Sequence, residues 1–115
     1  MEGKGQGKTG SGATLDIKVL AVQFDGHRGE VERTFQKVLG LVKPHVGKEI
    51  DVVVLPECAL VGYTFAGKAN VLPLAEVCCK GQQFEKAKEL ALLLKAYVVM
   101  GYIEKGAEGS PEEGR

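Results

Sequence analysis

The chain has 115 residues, 44% of them apolar and 26% charged, which suits one small domain or part of a larger one and excludes a wholly disordered or collagen-like chain. Fifteen basic residues against fifteen acidic ones leave a formal net charge of zero, so no basic stripe exists to draw in a phosphate backbone, and nucleic-acid binding is set aside. Three cysteines are too few and too sparse for a disulfide framework and point to thiols kept reduced.

Both ends read as flexible tails, residues 1–16 and 105–115, because eight of the 16 glycines fall in the first 12 and last 10 residues. The Gly3-Lys4-Gly5-Gln6-Gly7-Lys8-Thr9 run carries the residue types of a phosphate loop. The first glycine that such a loop requires would fall on Glu2, and no strand precedes the run, so the reading fails. No secretory leader is recognisable, and Leu90 to Ile103, interrupted by Lys95, is shorter than the roughly 20 residues that span a bilayer. A protein off the membrane is expected.

Between the tails, Ile17 to Phe24 is rich in branched apolar residues and stops at Asp25-Gly26, the pattern of a buried strand. Val31, Phe35, Val38, Leu39 and Val42 then recur on one helical face, and Pro44 closes that helix after about three turns. Asp51 to Pro56 is a second strand, ended by a proline that has no N–H for a ladder. Gln82 to Ala96 is a second helix, with Phe84, Ala87, Ala91 and Leu94 expected on its core side and Glu85, Lys88 and Glu89 paired on its outer side. Tyr97 to Ile103 is a third strand. The order βαβαβ implies an α/β fold with parallel strands.

This inventory is short of cover. Strands that are apolar at consecutive positions, such as Val52 to Leu55, want both faces buried, and two helices cover little more than one face of three strands. A partner chain or a further part of a longer domain must supply the other layer.

Ligands of open parallel sheets collect at the carboxyl ends of the strands, where Asp25, Glu57 and Glu104 stand. Glu57, directly after Pro56, is the strongest candidate for a general base, since partial burial there would raise its pKa; a solvated surface carboxylate is the alternative. Cys58 adjoins it, but neighbours on an extended segment point to opposite sides, so it reads as a packed thiol. Cys78-Cys79 lacks the two-residue gap usual in chelating and redox motifs. His27 and His45 have no ligand partner at helical or turn spacing and read as surface residues. No metal and no cofactor is implied.

Leu55-Pro56-Glu57-Cys58-Ala59-Leu60-Val61-Gly62-Tyr63 resembles the nitrilase, or carbon–nitrogen hydrolase, superfamily, in which an apolar strand ends in Pro-Glu and a Gly-Tyr pair follows. The resemblance runs from Ile17 to Glu104. With Thr64-Phe65, Val71-Leu72-Pro73 and Phe84-Glu85-Lys86-Ala87 it is nearest to the protein N-terminal amidase branch, although Glu30 and Thr34 stand near positions where the family commonly has Asp and Asn. The resemblance implies that residues 17–104 are the first three strands and two helices of an α-β-β-α sandwich, whose second sheet is the missing cover. It also implies an amide hydrolase of N-terminal Asn and Gln, acting in the cytoplasm or also the nucleus on protein and peptide N-termini and feeding the N-degron route, with homo-oligomer formation left open.

In the family mechanism a Cys thiolate attacks the amide carbon, a Glu takes and returns the proton, and a Lys helps to hold the oxyanion while a thioester forms and is hydrolysed. Only the Glu maps here, at Glu57; Tyr63 and Phe65 are candidates for the substrate pocket, with loop packing as their alternative role. The Lys and the nucleophilic Cys lie further along in the family, so a truncated, inactive hydrolase is expected. A non-catalytic interaction module built on the same fold is the second reading, and a small anion-binding flavodoxin-like domain the third, disfavoured because Asp25 opens the first turn.

Overall fold

A computed structural model describes residues 15–62 and 72–106; the expectations for the tail segments 1–14 and 107–115, and those for Tyr63 and Phe65, lie outside the described residues. Three strands form one parallel sheet in the order β1 (Val19–Ala21), β2 (Val52–Val54) and β3 (Tyr97–Val99). Val19, Val52 and Tyr97 share one register level, and Ala21, Val54 and Val99 another. The connections contain α1 (Val31–Val42) and α2 (Gln82–Leu94), so the expected βαβαβ order is present.

Each strand is shorter than its apolar run. β2 stops before Pro56, which has no N–H to give, and beyond it the ladder persists only as single bonds: Val22 N–H to the Val54 carbonyl at 2.9 Å and Leu55 N–H to the Val99 carbonyl at 2.8 Å. The run from Met100 to Ile103 leaves the sheet, and Glu104 instead pairs with Glu76.

α1 forms where the apolar spacing placed it. Val31, Phe35, Val38 and Val42 are all buried, and a 3₁₀ turn over Lys43–His45 carries Pro44 in its first positions. Helix α2 buries Leu94 and half-buries Ala87 and Ala91 as expected, but its first turn is rotated away from the expected face. Its buried residues are Gln83, Leu90 and Leu94, whereas Phe84 is 36% exposed, and no ion pair among the described residues joins Lys88 to Glu85 or Glu89. The cause lies outside the helix. The Glu76 carboxylate accepts the Gln83 N–H at 2.6 Å and the Phe84 N–H at 3.2 Å, and the Gln83 side-chain amide donates to the Leu74 carbonyl at 2.9 Å. Glu76 thus caps donors that Gly81 cannot satisfy, and the cap turns Gln83 inward. Lys95, at φ 54, ends the helix in the left-handed conformation.

Both helices lie on one face of the sheet. Leu20, Val53 and Val98 point into a core with Phe35, Val38, Leu90 and Leu94, and Lys86 of α2 reaches across α1 to Glu32 at 2.6 Å while its ammonium sits 4.9 Å from the centre of the Phe35 ring. On the opposite face Val19, Tyr97 and Val99 are exposed, Tyr97 to 81%. The shortage of cover read from the sequence is therefore physical among the described residues.

Candidate active site

The carboxyl ends of β1 and β2 open onto a cavity of about 240 Å³ whose lining includes Phe24, Asp25, Arg28, Pro56, Glu57 and Gly62. Two of the three candidate carboxylates, Asp25 and Glu57, thus meet at one site. Glu104 does not join them; it sits in the bridge to Glu76, beside the Cys78-Cys79 turn.

Backbone contacts build the floor. After Pro56 the chain turns at Cys58, with φ 46, and the Gly62 N–H returns to the Cys58 carbonyl at 2.8 Å. The extended arrangement expected for Glu57 and Cys58 is therefore replaced by a tight turn, because Ala59, Leu60 and Val61 must all be tucked under the sheet end, where they are buried. Two strands of contact fasten this turn: Gly29 N–H to the Val61 carbonyl at 2.8 Å, and Ala59 N–H to the Gly101 carbonyl at 3.2 Å. A Cβ on Gly101 would stand 2.9 Å from the Glu57 Cα and 3.0 Å from the Cys58 nitrogen, closer than side chains tolerate, so glycine is what lets the chain after β3 cross the Glu57 backbone. Gly62, at φ 84, would bring its Cβ within 3.3 Å of the Arg28 Cα. Gly62 is the glycine of the Gly-Tyr pair in the sequence motif, whereas Gly101 carries only the weaker signal of an isolated glycine just past a strand.

Behind the cavity, buried Thr34 ties the first turn down. Its hydroxyl accepts the His27 N–H at 2.8 Å and donates to the His27 carbonyl at 3.2 Å, so His27 is half-buried and held, and His45 is half-buried too; neither is the plain surface residue expected. Lys37 Nζ donates to the Asp25 carbonyl at 2.7 Å.

Glu57 is exposed at the lip of the cavity, not partly buried, because among the described residues no layer passes over the strand ends. Cys58 is half-buried and packs against the core, but it also lines the Glu57 cavity, because the turn keeps the two neighbours from facing opposite sides as an extended segment would. Burial, and then the Glu57 charge, push its thiol pKa up, the opposite of what activates a nucleophile. Cys78 and Cys79 line a different cavity. A larger cavity of about 650 Å³ opens at the amino ends of the strands, where Lys18 is already engaged, its N–H with Asp51 and its ammonium with the Lys48 carbonyl. It lies at the end of the sheet where open parallel folds do not place their ligands. No group of three or more His, Cys, Asp or Glu side chains among the described residues is arranged to hold a metal ion.

The chain is 29% identical over 98 residues to the protein N-terminal amidase of Saccharomyces cerevisiae, covering 82% of this chain and 21% of that one. Crystal structures of N-terminal amidase, among them complexes with Gln-Val and Asn-Glu peptides, superpose at a TM-score of 0.71 with 30% identity, over 80% of this chain and 22% of theirs. The chain thus spans about a fifth of the length of these relatives, and its three parallel strands and two helices match the N-terminal part of their fold. Residues 18–114 match the carbon-nitrogen hydrolase family, a stretch that runs past Glu104 into the glycine- and glutamate-rich end. With most of its length matched, this chain belongs to the carbon–nitrogen hydrolase family.

Proposed function

We propose that the Glu57 cavity is part of an amide-hydrolysing site for peptide N-termini bearing Asn or Gln, with Glu57 as its general base. The observation that carries the reading is the placement of Glu57: it follows Leu55-Pro56 at the carboxyl end of the central strand and faces an open cavity, within a chain similar to enzymes whose structures hold Asn- and Gln-initiated peptides. Exposure suits this role when substrate itself completes the wall, since a base needs reach to the proton before it needs a perturbed pKa.

On this reading the nucleophilic thiol and the oxyanion-holding lysine come from segments other than residues 17–104. Cys58 has a pKa shifted the wrong way, and Cys78 and Cys79 open elsewhere. The 115-residue chain by itself is expected to release no ammonia from an Asn- or Gln-initiated peptide. The cytoplasmic, or also nuclear, setting belongs to the same proposal; among the described residues no helix is long and apolar enough to cross a membrane.

The test is a chimera in which residues 18–106 replace the matching N-terminal stretch of the yeast amidase. Ammonia release from a Gln-Val peptide is expected, and Glu57→Gln should lower it roughly 10²- to 10⁴-fold, the usual contribution of a general base, while Cys58→Ser leaves it in place. A folded chimera without activity would overturn the substrate reading, and activity indifferent to Glu57→Gln would overturn the residue's role.

A second reading, a non-catalytic interaction module, is favoured by one observation, the exposed apolar sheet face around Tyr97 and Val99. Thermal unfolding with size-exclusion chromatography on the chain separates the two. A cooperative melt of a discrete oligomer supports the module; an aggregate or a non-cooperative melt supports the incomplete hydrolase.

A further inference from the structure

Cys78 and Cys79 play no part in the Glu57 cavity, yet their arrangement is specific. Their sulfurs lie 3.5 Å apart, and both residues are exposed. They occupy the two central positions of a turn closed by the Lys80 N–H on the Val77 carbonyl at 3.0 Å, with Cys79 at φ 63. A residue other than glycine at positive φ in the third place of such a turn is held there by its surroundings.

The surroundings are Glu76. Its N–H donates to the Ile103 carbonyl at 2.8 Å, its carbonyl accepts the Lys105 N–H at 3.0 Å, and its carboxylate caps α2 through Gln83 and Phe84. Gly81 has no side chain to obstruct that carboxylate; a Cβ there would stand 2.6 Å from it. Both sides of the turn are thereby tied, one to the chain after β3 and one to α2, and the thiols are ordered before any ligand arrives.

The thiols line a cavity of about 230 Å³ together with Phe84, Ala87, Val98, Met100 and Tyr102. It is apolar apart from the sulfurs and the Tyr102 hydroxyl.

Three chemistries use paired thiols. A disulfide is disfavoured here, because adjacent Cα atoms are about 3.8 Å apart, below the range of about 4.4–6.8 Å that disulfides span. A structural metal ion wants about four protein ligands, and among the described residues no third His, Cys, Asp or Glu completes a set with these two. What remains is a centre that takes two thiolates and brings its own third substituent. With bonds of about 2.3 Å, the zinc–thiolate length, one bridging atom holds its two sulfurs about 3.5–3.8 Å apart at pyramidal to tetrahedral angles, and the observed separation already meets that span.

We propose that Cys78 and Cys79 form a two-thiolate site for a trivalent organoarsenical, with the organic group seated in the cavity against Phe84 and Met100. In the binding step two As–S bonds form, the arsenic–oxygen bond of the oxide breaks, and the two thiol protons leave with that oxygen as water. Arsenic stays trivalent, and no oxidant or reductant takes part.

The test uses the reduced 115-residue chain with phenylarsine oxide and with inorganic arsenite, reading the thiols that remain reactive toward an aromatic disulfide reagent. Each bound arsenical should remove two thiols, in the wild type and equally in Cys58→Ser; ethanedithiol should restore them and a monothiol should not. Cys78→Ser and Cys79→Ser should each weaken retention of phenylarsine oxide at least about tenfold. Ala87→Leu, which fills the cavity, should weaken phenylarsine oxide about tenfold while leaving arsenite unchanged, the arsenite result showing that the turn is intact. Three reactive thiols in the presence of phenylarsine oxide, or undiminished retention by the Cys78→Ser, Cys79→Ser double variant, would overturn the site. Equal effects of Ala87→Leu on both arsenicals would overturn the seat of the organic group.

Discussion

The two faces of the sheet are made from the same residue types and have opposite fates. On one, Leu20, Val53 and Val98 meet Phe35 and Leu90 in a closed core; on the other, Val19, Tyr97 and Val99 stand in the open, Val99 at 54% exposure. Apolar sequence alone therefore does not bury a residue. Alternation along each strand assigns its side chains to two faces, and only the face that receives α1 and α2 is dry. The other face is open among the described residues, and the candidate site sits at the carboxyl ends of the strands.

Substitutions test how unequal the faces are. The largest effect is expected from Phe35→Ala on the helix side. Phe35 is 1% exposed, and emptying its place should cost about 3–5 kcal/mol in urea-induced unfolding. Gly101→Ala comes next. The added Cβ would press on the Glu57 Cα and the Cys58 nitrogen, an overpacking worth about 1–3 kcal/mol. In the chimera it should also reduce ammonia release, because it displaces the base; full activity would show that the Glu57 backbone does not depend on this approach. The smallest effect belongs to Val99→Thr on the bare face, within about 0.5 kcal/mol for the isolated chain. A loss there as large as that of Phe35→Ala would mean that the face is covered in solution, and the contrast between the faces would collapse.

Much of the fold was legible in residue order. The spacing of Val31, Phe35, Val38 and Val42 is a helical period that tertiary contacts left untouched. The rotation of α2 was not legible, since Phe84 is the more apolar choice for a core and Gln83 the less. What turned Gln83 inward was Glu76, seven positions away and outside the helix. At the site, Asp25 and Glu57 could each be placed at a strand end, but their sharing of one cavity depends on the pairing of β1 with β2. The exposure of Glu57 and the turn at Cys58 have one cause that residue order does not display: past Pro56, burial of Ala59, Leu60 and Val61 bends the chain out of extended geometry.

By itself the sequence determined the parallel βαβαβ order, the position of α1, the Pro56-Glu57 strand end and the shortage of cover for one sheet face, because these follow from local periodicity and from the count of apolar positions against available cover. Tertiary structure alone decided which face is bare, that Gly101 crosses Glu57, and that Glu76 both caps α2 and fixes the Cys78-Cys79 turn. Those are contacts between segments far apart in the chain. A glycine or a carboxylate carries no mark of its distant partner until the backbone brings the two together.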